Sequence, residues 1–155
     1  MKHLKKMMSV MAFVLALALP AMAQGGKTLV NVDDSNVAIQ GYDPVAFFTD
    51  NKPVKGDSKY VTKSDGAFYY FASKEHRDLF VKNPEKYEPV FGGYCAYGVY
   101  KDKLVEIDVD AFQIVDGKLL LQYSKSIRDK FNKDTKGNLA KADANWPALV
   151  EKNAK

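Results

Sequence analysis

The chain is poor in the residues that build disulfide frameworks and metal centres. It has one cysteine, Cys95, among 155 residues. An internal disulfide is therefore impossible, and the fold must rest on its core. A lone thiol in an oxidising compartment is a buried inert group, an intermolecular bond or a reactive centre. Histidine occurs twice, at His3 and His76, which puts a Cys/His-rich zinc site out of reach of one chain. Methionine stops at Met22, so no thioether follows to help hold a soft ion. Gly-rich phosphate loops, Gly-x-Ser-x-Gly, His-Glu-x-x-His and Cys-x-x-Cys are also missing. Their absence sets aside several common catalytic classes.

The N-terminus reads as an export signal. Lys2, Lys5 and Lys6 precede an apolar run, Val10 to Leu19, which Pro20 breaks before the small-x-small pattern Ala21-Met22-Ala23. Spanning a bilayer takes about 20 apolar residues, so the run is short for a permanent anchor. No lipobox-type cysteine or twin-arginine pair accompanies it. We expect a bacterial Sec-type signal over residues 1–23, a periplasmic or secreted product without a stable membrane anchor, and a soluble mature chain starting at Gln24. Three of the 23 Lys and Arg lie in the leader, which leaves 20 basic against 19 acidic residues. Nucleic acid is not an expected partner of so balanced a chain.

Downstream, we expect a flexible lead-in over 24–36, one α+β domain over 37–150 and a tail over 151–155. The domain reads as a small sheet of hairpins with short helices and a helical C-terminal part. Val37–Ile39 suggests a short strand. Asp43-Pro44 signals a helix start, with the aspartate as cap and proline at the first helical position. Lys59–Lys63 and Ala67–Ala72 flank Ser64-Asp65-Gly66 as a hairpin, and Asp116-Gly117 marks a second, returning along Lys118–Tyr123. Aromatic residues on both faces of 68–71 predict a central or covered strand. Ser73 caps a helix to Lys82 that carries His76, Leu79 and Phe80 on one stripe. Asn83-Pro84 opens one more turn, through Tyr87. Lys103–Asp108 and Phe112–Val115 read as extended. Ser124 starts a helix that Gly137 is expected to end, and Pro147 divides the helical pieces that follow.

Cys95 is the leading candidate for chemistry. Gly92 and Gly93 can bring backbone N–H groups close to its sulfur, and a helix opening there would favour the thiolate. A buried thiol packed as a small hydrophobe is the plainer reading. His76 can serve Cys95 as a base or as a second ligand for a soft ion such as copper(I), or it can bond locally on its helix. Asp43 can orient His76, although capping already accounts for it. Tyr42, Tyr94 and Tyr97 can line a small-ligand pocket or pack in the core. Glu106, Asp108 and Asp110 alternate on one strand face without the glycine and terminal glutamate of a calcium loop.

Several blocks resemble the YHS-domain family: Gly41-Tyr42-Asp43-Pro44-Val45-Ala46-Phe47-Phe48, Phe68-Tyr69-Tyr70-Phe71-Ala72-Ser73 and Asn83-Pro84-Glu85-Lys86-Tyr87. Gly92-Gly93-Tyr94-Cys95-Ala96-Tyr97 and the stretch Ala140 to Pro147 resemble its exported branch, some members of which are selenoproteins. The resemblance spans Val37 to Pro147. It implies metal handling or redox chemistry, with Cys95 at the position where selenium stands in relatives. The family's cysteine cluster is missing: Ala46 and Ala72 occupy two of its positions, and His76 lies near the third. The leading expectation is therefore a soft-metal (copper-like) or thiol-redox module centred on Cys95, with turnover as a one-cysteine redox catalyst left open. The alternative is a non-catalytic domain that binds a small molecule or a protein, with Cys95 structural.

Overall fold

Two Asp-Gly pairs frame the molecule. The computed structural model describes residues 26–154, so the expected signal over 1–23 lies outside the described residues. Asp65 and Gly66 have φ of 48° and 84°, and Asp116 and Gly117 have 49° and 74°. Positive φ at both central residues suits a two-residue hairpin, because the turn then matches the strand twist. One pair joins β1 (Asp57–Ser64) to β2 (Ala67–Phe71), and the other joins β3 (Asp108–Val115) to β4 (Lys118–Gln122). Each hairpin is its own two-stranded antiparallel sheet. Around them pack α1 (Ala46–Thr49), α2 (Lys74–Lys82), α3 (Pro84–Tyr87), α4 (Ala96–Tyr100), α5 (Lys125–Phe131) and α6 (Thr135–Asn153). The architecture is α+β. No helix among the described residues is long and apolar enough to cross a membrane.

Short polar side chains start the helices. Ser73 accepts from His76 N–H, Asn83 from Lys86 N–H and Ser124 from Ile127 N–H. Each bond satisfies a first-turn donor that has no partner within the helix. Asp43 likewise accepts from Val45 and Ala46 N–H at 2.8 and 3.3 Å.

β2 buries one face and shows the other. Ala67, Tyr69 and Phe71 are buried, whereas Phe68 is exposed. Phe80 of α2 covers the buried face, with its ring centroid 4.9 Å from Tyr69 and 5.2 Å from Phe71. Phe68 also exchanges backbone bonds with Asn36 and Ala38, so β2 has neighbours on both edges there. β4 differs in burying both faces. Leu119 and Leu121 join a core with Phe47, Phe71 and Phe80, while Leu120 joins a second with Phe91, Val99 and Phe131.

Four segments depart from expectation. Val37–Ile39 forms isolated bridges rather than a strand. The chain turns at once through left-handed Ile39, Gln40 and Gly41, at φ 51°, 53° and 77°. Residues 31–33, within the expected flexible lead-in, are tied down: Asn31 N–H donates to Gly92 O at 2.8 Å, and Asp33 N–H to Val37 O at 3.1 Å. Gly137 does not end the Ser124 helix. α5 stops at Phe131, and Gly137 supplies the N–H that Asp134 caps at the start of α6. Finally, Pro147 does not divide the C-terminal helix: α6 runs through it to Asn153.

Candidate functional site

Cys95 emerges from a tight left-handed run, Phe91, Gly92 and Gly93, with φ of 55°, 57° and 82°. A side chain at Gly92 would overlap the carbonyl oxygen of Leu29, so only glycine fits against the N-terminal segment. Cys95 then stands at the N-cap of α4, and its N–H donates to Val105 O at 2.9 Å. The residue is only 1% exposed.

Two neighbours on β4 and just beyond it satisfy the sulfur. The thiol donates to Gln122 Oε1 at 3.4 Å and accepts from Tyr123 N–H at 3.2 Å. Gln122 is itself fully buried, and its Oε1 also accepts from Tyr97 N–H at 3.0 Å. That second bond fixes the amide orientation, because a backbone N–H needs an acceptor. Gln122 Nε2 is left buried without a hydrogen-bond partner among the described residues. Both hydrogen-bonding roles of Cys95 Sγ are thereby filled.

A cavity of about 340 Å³ opens beside that sulfur. Cys95 and Gly98 form its buried lining, and Tyr97, Val105 and Ile127 are half-buried walls. Tyr123, 57% exposed, stands at the mouth with Lys101 and Lys103. No acidic residue lines it. Lys101 Nζ lies 5.5 Å from the Tyr97 ring centroid and 4.7 Å from that of Tyr100. Among the described residues neither lysine is in an ion pair. Apolar walls with a few polar groups at the opening are the usual make-up of a small-molecule site. A second cavity, of about 410 Å³, is lined by Thr28–Val30 with Asn36, Asp65 and Asn153 and is more polar.

His76 has other partners. Its Nδ1 lies 2.6 Å from Asp43 Oδ2, and its Nε2 lies 3.4 Å from Thr49 Oγ1. Asp43 is fully buried and also accepts from Val45, Ala46 and Ala72 N–H. Surrounded by donors, Asp43 Oδ2 accepts from Nδ1–H, and Nε2 faces Thr49 Oγ1. Thr49 Oγ1 is also 2.8 Å from Asp50 Oδ1. The capping and orienting roles considered for Asp43 are thus both present, one on each oxygen. Cys95 and His76 share no partner in these networks. Among the described residues no group of three or more His, Cys, Asp or Glu side chains is placed to hold a metal ion.

The three tyrosines do not gather at one cavity. Tyr42 lies under Lys55 Nζ, 4.6 Å from the ring centroid. Tyr94 lines the larger, more polar cavity, and burial, with Glu106 adding, pushes its phenol above the ordinary range. Only Tyr97 lines the cavity at Cys95. Sequence reasoning passed over Gln122, Tyr123, Ile127, Lys101 and Lys103. One signal was present for Gln122: it is the polar residue that ends the apolar run Leu119–Leu121. No protein-family model, curated protein or solved structure matches the chain.

Proposed function

We propose that this chain is an exported YHS-type domain that binds a small molecule in the cavity beside Cys95, without catalytic turnover. The observation carrying this reading is an apolar cavity of about 340 Å³ whose buried end is a thiol already satisfied by Gln122 and Tyr123. A satisfied, buried thiol serves as lining, and open apolar walls favour a ligand with an apolar body. The sequence blocks around Asp43, Phe71 and Tyr94 support the family assignment, and the basic–apolar leader supports export. The reading is tested by screening small fragments against methyl-labelled protein by NMR. Hits should shift the Val105 and Ile127 methyls first, and Ile127→Trp, which fills the cavity, should abolish those shifts. Hits that leave both methyls unmoved would reject the site.

One observation favours a second reading. Cys95 is part of the cavity lining, so a soft ion entering it would meet sulfur. Copper(I) titration of the protein and of Cys95→Ser decides this. Binding lost in the variant supports a soft-metal role, and equal binding by both removes it.

A further inference from the structure

We infer that the occupant of the cavity beside Cys95 is an amphipathic anion: a short alkyl or aryl body carrying one carboxylate head. This rests on the small-molecule reading above and narrows it to a ligand class. The charge pattern is the argument. The charged side chains in the lining are both cationic, Lys101 and Lys103, with no Asp or Glu beside them. Neither ammonium is neutralised by an ion pair among the described residues.

The Lys101 head is held over the faces of Tyr97 and Tyr100, which limits its wandering and keeps it beside the opening. Inward from the lysines the surface turns apolar, through Tyr97, Ile127 and Val105 to the sulfur. A ligand with a charged end and an apolar end matches that gradient. An anionic head meets both lysines while its body leaves water, whereas a cationic head meets like charge. A cavity of about 340 Å³ is at the small end of ligand sites, which run from roughly 300 to 1,000 Å³. The body is therefore short.

The test uses three probes of one chain length, octanoate, 1-octanol and octylammonium, titrated calorimetrically into the full purified protein at low salt. Alkylation of Cys95 by iodoacetamide serves as an independent report on the cavity. Octanoate should bind about tenfold more tightly than octylammonium, the size of effect two exposed charges together give at low ionic strength. It should also slow alkylation. The double variant Lys101→Glu/Lys103→Glu should lose the preference for octanoate and keep its affinity for octanol. If all three probes bind alike and slow alkylation alike, the anion class is wrong and the cavity reading stands. If no probe binds and Cys95 alkylates at one rate throughout, the cavity reading itself falls.

Discussion

Each oxygen of Asp43 accepts two hydrogen bonds, and together they tie three separate segments. Oδ1 takes Val45 and Ala46 N–H at the start of α1, and Oδ2 takes Ala72 N–H after β2 and the His76 imidazole on α2. Asn at this position could keep the first pair but would direct an NH₂ group at the second. The imidazole can answer by moving its proton to Nε2; the Ala72 amide has no such option. Asp43→Asn should therefore cost about 1–3 kcal/mol, the penalty of an unmet donor in a buried site. Asp43→Ala should cost more, because the cap is lost as well. Urea midpoints of the two variants check the order, and equal costs would contradict it.

Glu88 presents the opposite situation, a half-buried carboxyl with one oxygen unsupported. Its Oε1 is buried with no hydrogen-bond partner among the described residues. Burial raises its pKa above the ordinary 4.5; Ser64 pulls the other way, and Asp65 and Glu85 push it further up. A carboxyl raised in the folded state holds its proton longer there than in the unfolded chain. Its contribution to stability is thus full below pH 4.5 and is lost as pH climbs through the raised folded value. Glu88→Gln should raise the melting temperature at pH 7, and the gain should vanish below pH 4.5. A gain of the same size at both pH values would show that charge is not its source.

At the scale of the element, α6 carries a proline where helices rarely tolerate one. Pro147 lacks an N–H, and its ring crowds the carbonyl four residues back, at Asp143. The helix nevertheless continues, because both halves are anchored in one core, by Ala142 before the proline and Leu149 after it. Trp146 adds an edge contact to Phe91, with centroids 5.8 Å apart. Pro147→Ala should therefore stabilise the protein by about 1–3 kcal/mol, up to the intrinsic penalty of an interior proline. A higher urea midpoint with unchanged Trp146 fluorescence is the expected result. A lower midpoint would mean that the proline itself is needed to seat the indole. The same comparison shows which elements were legible in the sequence. Ser73, Asn83, Ser124 and the two Asp-Gly pairs act on backbone within three residues of themselves, so local reading finds them. Ile39 and Gln40 were not legible, because a β-branched residue at positive φ contradicts local preference. Distant contacts hold that turn: Ile39 is in the core, Lys55 Nζ donates to Gln40 O at 2.6 Å, and Gln40 Nε2 donates to Ile107 O at 3.0 Å. Gly137 was misread for a similar reason, since glycine marks helix ends in general but here sits one turn past the Asp134 cap. The candidate site divides in the same way. Cys95 stood out as the lone thiol, whereas its cavity is assembled from α4, the segment at 101–105, Tyr123 and α5, a juxtaposition that no stretch of sequence records.

For the whole molecule, the question is whether two hydrophobic clusters make two folding units. β4 argues against it. Leu119 and Leu121 face the cluster of Phe47, Phe71 and Phe80, while Leu120 faces the cluster of Phe91, Val99 and Phe131, and all three leucines are fully buried. Neither cluster can lose β4 and keep its packing, so each should melt when the other does. Leu119→Ala and Leu120→Ala damage different clusters, yet each should lower global stability by about 2–5 kcal/mol, the usual cost of truncating a buried leucine. Trp146 lies in the second cluster and reports on it directly. Far-UV circular dichroism reports on all the helices, including α2 against the first cluster. Urea unfolding followed by the two signals should give coincident curves in the parent and in both variants, as a single cooperative unit requires. If Leu119→Ala shifts the dichroism curve and leaves the Trp146 curve in place, the clusters unfold separately and β4 is a seam, not a shared wall.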